Sequence, residues 1–371
     1  MQKEADMGHD RTETVGDWVA ATSATPATAT AGPPAPRRVG IVGLGLIGGS
    51  LACRLANAGC DVVAWNHRDH PYRQARRHGI RCVDSLTALA GEKPEVLVLC
   101  NPLRSMPDVL AGLRPAFDPA ATTLTDVGSV KGLVREQVTA AGLDDSYVGA
   151  HPMAGNERSG WQAADPRLFD GALWALTYDE RTDYGRLLQV ADLVTRACTN
   201  RLIVVDDATH DRAAAMISHM PHVASTALIN MMSADENRNI EAALAAGSWR
   251  DMTRVALTDP KRTEAMVEEN AGNVAGLLRD IADRLAAVAT ALDDGDRAAL
   301  DRFFAEGDPF RDFKASLDRA GDNEATETIF SSLAISADDW RGDFLRSAQR
   351  GEHIVRFTSA HRAIAEQLPR V

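Results

Sequence analysis

"RRVGIVGLGLIGGSLACRLANAGCDVVAWNHRDH" runs from Arg37 to His70, and its reading decides the fold. A short apolar strand, Val39 to Val42, meets a group of glycines and passes into a helical pattern through Leu46, Ser50 and Leu55. A second strand follows from Asp61 to Trp65. Between strand and helix stands Gly43-x-Gly45-x-x-Gly48, and a strand before it, a helix after it and a strand beyond are the context of a dinucleotide-binding turn. Gly43 makes the tight turn, Gly45 lets the backbone approach a pyrophosphate, and Gly48 permits close helix–strand packing. The helix that opens at Leu46 and Ile47 then offers free N–H groups to the phosphates.

The end of the second strand bears on which dinucleotide is bound. An acid about 20 residues beyond the glycines would hold a ribose 2′-hydroxyl. This chain has Asn66, His67 and Arg68 instead, a set able to hold a 2′-phosphate, with Asp69 close by. NADP is therefore favoured over NAD.

Further strands are expected at "EVLVLC" (Glu95 to Cys100) and "TTLTDV" (Thr122 to Val127), with helices between them. The expected class is α/β, an N-terminal Rossmann-type, doubly wound parallel sheet over residues 37–205. From about Thr209 long helical patterns take over, Ala213 to Met232 and Thr263 to Leu292, so residues 206–304 read as an all-helical substrate and dimerisation domain. Their apolar excess suggests a homodimer. Residues 1–36, rich in Ala, Thr and Pro, read as a disordered leader. Residues 305–371, with a strand-like "EHIVRF", form a C-terminal extension of unassigned role, a candidate for packing on the dimer.

Composition narrows the partners. With a net charge of −12 and a pI near 5.3, the 371-residue chain lacks the cationic surplus that nucleic acid or anionic lipid requires. Five cysteines without a CxxC spacing point to reduced thiols rather than disulfides or zinc, and no metal motif accompanies the histidines. No apolar run approaches the roughly 18 residues that span a bilayer. A cytoplasmic enzyme with a small-molecule substrate is the expectation.

Three polar segments are candidates for the chemistry: "DVGSVKG" (Asp126 to Gly132), "GAHPMAGNERSGW" (Gly149 to Trp161), and "SHMPH" (Ser218 to His222) followed by "RDMTR" (Arg250 to Arg254). His151 lies in a loop broken by Gly and Pro after a strand, where sheets of this type place their sites. The others have structural readings as well. His219 and His222 suit a helix core, Asp251 could pair with Arg250 or Arg254, and Ser129 could cap the helix that follows it.

Taken in order, "GLGLIGGS", "DVGSVK", "GAHPMAGNERSGW", "SHMPH" and "DMTRVALTDP" resemble the prephenate and arogenate dehydrogenase family of tyrosine biosynthesis, over roughly Arg38 to Phe304. The resemblance implies oxidative decarboxylation of a cyclohexadienyl ring, with His151 as catalytic base and Ser129 bonded to the 4-hydroxyl. It implies that Arg254 binds a substrate carboxylate and that His222, with His219 as companion, contacts substrate. Glu157 and Asp251 match acids of an ionic network that places the arginine, and Lys131 is assigned to structure or to the cofactor's surroundings. Members of the family are dimers through the helical domain. Alternatives are a dehydrogenase for an amino-substituted prephenate, a hydroxyacid dehydrogenase, which leaves "HPMAG" and "DMTR" without a role, and a redox sensor that binds the cofactor without turnover.

Overall fold

In the computed structural model the described residues are 36–156, 158–322 and 329–367; the expected leader, apart from Pro36, lies outside them. The first half alternates β1 (Arg38–Val42), α1 (Leu46–Asn57), β2 (Asp61–Trp65), α2 (Tyr72–Arg77), β3 (Arg81–Cys82), α3 (Leu86–Gly91), β4 (Val96–Leu99), α4 (Met106–Leu113), β5 (Thr123–Asp126) and α5 (Gly132–Ala140). It closes with β6 (Tyr147–Pro152), β7 (Leu173–Tyr178), α6 (Tyr184–Asp192) and β8 (Arg201–Asp206). Strand order is β3-β2-β1-β4-β5-β6-β7-β8, with β1 flanked in parallel by β2 and β4.

Successive side chains of a strand point to opposite faces, so a sheet covered on both sides needs strands that are apolar throughout. Val39 and Ile41 of β1, with Val62, Ala64, Val96 and Val98 beside them, pack in one core with Leu51 and Leu55 of α1. Val42, Val63, Leu97 and Leu99 point the other way, into a second core with Leu110 of α4 and Val134 of α5. The expected doubly wound architecture follows, with one difference. The sheet is parallel from β3 to β6, but β7 runs antiparallel to β6, and β8 is parallel to β7. The connection after Pro152 holds two short 3-10 turns, Trp161–Ala163 and Pro166–Phe169, and no crossover α-helix, and the chain returns antiparallel along the neighbouring strand.

The second half is helical: α7 (Asp207–Ala214), α8 (Met220–Ala234), α9 (Arg238–Leu244), α10 (Gly247–Thr253), α11 (Pro260–Glu268), α12 (Ala271–Asp293), α13 (Arg297–Ala305) and α14 (Asp308–Asp322). The pattern from Thr263 to Leu292 is two helices, because Asn270 interrupts it and stands at the N-terminus of α12. The pattern from Ala213 to Met232 also has a discontinuity, a π-helical turn at Ala215–His219 just before Pro221, which cannot donate the backbone bond of a regular helix.

The C-terminal extension comes back to the first half. β9 (Ile329–Ala334), α15 (Trp340–Gln349), β10 (Glu352–Ser359) and β11 (Arg362–Gln367) extend the sheet in the order β8-β10-β11-β9. Helix α15 lies on the α1 face, with Trp340 stacked on Tyr184 at 5.1 Å and Phe344 buried beside Phe357. Arg341 reinforces the seam by donating to the carbonyls of Asp179, Glu180 and Thr182.

Phe344 is 1% exposed at the centre of this seam. We expect Phe344→Ala to cost about 3–5 kcal/mol of stability, read as the urea midpoint. An unchanged midpoint would mean that the C-terminal strands do not share the core of the first half.

Candidate active site

The glycine turn has the geometry that a dinucleotide requires. Gly43 sits at φ 96°, and a Cβ on Gly48 would lie 2.0 Å from the Gly43 carbonyl oxygen and 2.7 Å from Cys100 Cβ, so α1 approaches β1 and β4 as closely as a backbone can. In front of Gly45 a Cβ would meet nothing within 4 Å, which leaves space where a phosphate needs it. The first turn of α1 has neither a side-chain cap nor an acidic residue, so its N–H groups face the cleft without a competing anion. These residues fit a nicotinamide dinucleotide.

Gly43, Gly45, Leu46, Ile47, Asn66 and His67 line the same cleft as Ser129, His151, His219, His222, Asp251 and Arg254. Gly48 contributes packing rather than lining, and Arg68 is exposed beyond the rim. Asn66 is occupied with the turn itself. Its Oδ1 accepts from Leu44 N at 2.8 Å, and its Nδ2 donates to the Arg68 carbonyl, so it braces β2 against the glycine loop.

The chemical centre lies where β6 ends. His151 Nδ1 is 3.0 Å from Nε2 of His210, and His210 Nδ1 is 2.8 Å from Oδ1 of Asp211. Asp211 also accepts the backbone N–H groups of Lys131 and Gly132 at 2.7 and 2.8 Å. Burial raises the pKa of this carboxyl, but the bonds from His210 and the two peptide groups outweigh it, and the net shift is downward. Asp211 is thus a carboxylate, which fixes both tautomers. His210 donates from Nδ1; with that ring neutral its Nε2 accepts, and His151 then donates from Nδ1 and keeps the lone pair of its Nε2 for the cleft. Burial, with help from His210, Lys131 and His219, holds the His151 pKa well below the ordinary 6.5, so the ring is a neutral base.

His219 and His222 stand in the π-turn and the start of α8. Asn270 Nδ2 lies 2.7 Å from the Asp211 carbonyl oxygen and 3.2 Å from His219 Nδ1, so that nitrogen accepts and His219 carries its proton on Nε2. Burial keeps His219 neutral, with a pKa lowered to about 4. His222 donates from Nδ1 to the Ser218 carbonyl at 2.8 Å, which leaves its Nε2 as an acceptor.

Other expected residues stand differently. Ser129 is not the cap of α5: the N-cap position is Lys131, whose side chain makes no capping bond, and the cap is supplied from α7 by Asp211. Arg254 and Asp251 are exposed on the cleft, and no ion pair joins Asp251 to Arg250 or Arg254 among the described residues. Glu157 lies outside the described residues. His210 and Asp211 had not been singled out from the sequence. Their available signal was an adjacent His-Asp pair one turn into the helix that Asp206 caps at the end of β8. Among the described residues no cluster of three or more His, Cys, Asp or Glu could hold a metal, and no helix is long and apolar enough to cross a membrane.

A dinucleotide turn facing a neutral histidine base across one cleft defines an NAD(P)-dependent oxidoreductase. Residues 52–204 match the prephenate dehydrogenase nucleotide-binding domain, and residues 206–306 match the prephenate dehydrogenase dimerization domain. A cyclohexadienyl dehydrogenase from Zymomonas mobilis is 30% identical over 74% of this chain and 95% of its own. The solved arogenate dehydrogenase of Synechocystis superposes with a TM-score of 0.67 at 28% identity, covering 74% of this chain and 99% of its own. Prephenate dehydrogenase from Aquifex aeolicus, solved with hydroxyphenyl propionate and NAD+, gives 0.67 at 25% identity, covering 76% and 99%. The chain belongs to the prephenate dehydrogenase family.

The buried neutral histidines set an acid limit on the fold. The folded pKa of His219, about 4, lies below the ordinary 6.5, so as pH falls the unfolded chain takes up a proton first. The contribution is complete above pH 6.5 and is lost between 6.5 and about 4. We expect urea midpoints to fall through that window and His219→Gln to flatten the slope; an identical slope in the variant would place the titration elsewhere.

Proposed function

We propose that this chain oxidatively decarboxylates a cyclohexadienyl substrate, prephenate or arogenate, with His151 as the base and NADP as the preferred oxidant. The observation that carries the reading is the Asp211–His210–His151 series, which leaves a neutral, unshared Nε2 on the cleft. Bound NAD(P)+ supplies the acceptor for the hydride that leaves ring C4. His151 Nε2 takes the proton of the 4-hydroxyl as the carbon–oxygen bond becomes a carbonyl. The C–C bond to the ring carboxylate then breaks, its electron pair enters the ring, and CO2 departs as the ring becomes aromatic. The positive charge gained by His151 is shared toward His210 and Asp211, whose carboxylate favours it.

Ser129, beside the base on the cleft, is the group we assign to orient the 4-hydroxyl. Arg254 offers a planar fork for a carboxylate, and its lack of an ion pair among the described residues leaves it free to take one. His219, with its proton on Nε2, serves as a neutral donor and His222 as an acceptor. The match to the dimerization domain, with Met231, Leu244 and Leu257 more than 70% exposed, supports a homodimer through the helical half.

The NADP preference rests on the end of β2. Neither His67 nor Arg68 has an acidic partner among the described residues, and the side chain of Asn66 is committed to the turn. A 2′-phosphate would meet the Arg68 guanidinium there, with no carboxylate at the Asn66 position to repel it.

His151→Asn is expected to lower turnover by about 10^2- to 10^4-fold, with NADP affinity by fluorescence titration unchanged; near-native rates would remove the base from His151. The wild-type assay is reduced-cofactor absorbance with prephenate and with arogenate, each with NAD and NADP. Arg68→Ala should raise KM for NADP and leave KM for NAD unaltered, and an equal effect on both would sink the 2′-phosphate assignment.

A further inference from the structure

Lys131 is the largest fully buried charged side chain among the described residues and has no part in the chemistry above. It is 0% exposed, and its ammonium lies 2.5 Å from Asp126 Oδ2 and 2.7 Å from the carbonyl oxygen of Ala150, the residue before His151. A buried charge is retained only where partners offset its lost hydration, and here both partners belong to the frame of the active site. Asp126 also accepts from Tyr147 Oη at 2.8 Å, from Ala150 N at 3.3 Å and from Gly128 N at 2.8 Å. One carboxylate therefore ties the two ends of β6 to the turn that carries Ser129. Gly149 is part of the arrangement, since a Cβ there would lie 3.1 Å from Lys131 Cδ and 2.2 Å from Thr177 Oγ1.

We infer that Lys131 is a positioning residue for the base: its ammonium, neutralised by Asp126, holds the Ala150–His151 peptide in register with Ser129. This rests on the assignment of His151 as base. The pair has an electrostatic effect besides its mechanical one. The groups facing His151 are His210 and Asp211 from α7, His219 from the π-turn, and Lys131 with Asp126 from the β5–α5 turn. After burial and His210, the Lys131 charge is the next cause that keeps His151 unprotonated. The same side chain aims the imidazole and preserves its lone pair at low pH.

The test replaces the pair by neutral amides, Asp126→Asn with Lys131→Gln, so that no unpaired charge is left in the interior. Lys131→Gln alone is the second variant, which removes the ammonium and keeps the Asp126 side chain. The readout is the pH profile of kcat/KM, whose acid limb reports the base of the free enzyme. The wild-type limb should lie below pH 6.5. In both variants we expect it to move up toward that value, with kcat down by about 10- to 100-fold and NADP binding retained. Lys131→Arg, which keeps the charge, should restore the position of the limb. A drop in kcat with an unmoved limb, or a native profile throughout, overturns the inference. The base assignment stands apart, because it fails only if His151→Asn remains active.

Discussion

Everything at the active site hangs on the carboxylate of Asp211. Its two oxygens take the N-terminal N–H groups of α5 and the imidazole of His210, while its own carbonyl takes the side chain of Asn270. Helix α5 belongs to the dinucleotide half, and Asn270 stands at the start of the long helix of the other half. The free N–H groups at a helix start carry partial positive charge, so a carboxylate placed there is both satisfied and stabilised as an anion. That anion dictates which nitrogen of His210 carries a proton, and His210 dictates the same for His151. A capping contact that joins two domains thus also orients the imidazoles of His210 and His151 between them.

The protein uses opposite strategies for its buried charges and its buried histidines. Asp126 and Lys131 are buried in direct contact, where burial lowers the Lys131 pKa and the Asp126 contact opposes that, and peptide groups complete their bonds. Among the described residues no acid bonds His151 or His219 directly, and burial leaves both neutral. Had Asp211 touched His151 directly, the imidazolium would have been favoured and the lone pair lost at ordinary pH. Inserting His210 between them keeps the orientation that an acid gives while removing most of its charge effect from the base.

Much of this architecture was legible in the sequence, for identifiable reasons. A strand buried on both faces is a continuous apolar run, so β1, β2 and β4 stand out without any tertiary information, whereas β5, Thr-Leu-Thr-Asp, is read from its β-branched residues and its place in the alternation. The glycine turn was legible because steric contact at Gly48 leaves no alternative residue. His151 was expected in a loop after a strand and instead stands in β6, paired with Ala175, because the Gly and Pro around it read as loop signals while the strand that pairs with it is distant in sequence. His210 and Asp211 were not, since they sit inside an ordinary helix and their partners lie 59 and about 80 residues away. Ser129 was open to a reading as a helix cap for the same reason: a local capping residue is visible in a sequence, whereas a cap that arrives from another helix is not. The antiparallel β6–β7 return was likewise hidden, because both strands are as apolar as their parallel neighbours.

The C-terminal strands show how a sheet edge can be displaced rather than removed. Without them β8 would end the sheet, presenting unpaired backbone groups beside the start of α7 and its His210–Asp211 pair. β10 takes that edge, and α15 covers the face of the added strands with Trp340 and Phe344. Asp179, whose carbonyl is held by Arg341, reaches Arg135 at 3.4 Å, and Arg135 in turn reaches Asp207 at 2.8 Å. The first residue of α7 is therefore gripped from the α5 side by an arginine that the C-terminal seam helps to hold. The extension thereby bears on the rigidity of the helix start that presents His210 to His151.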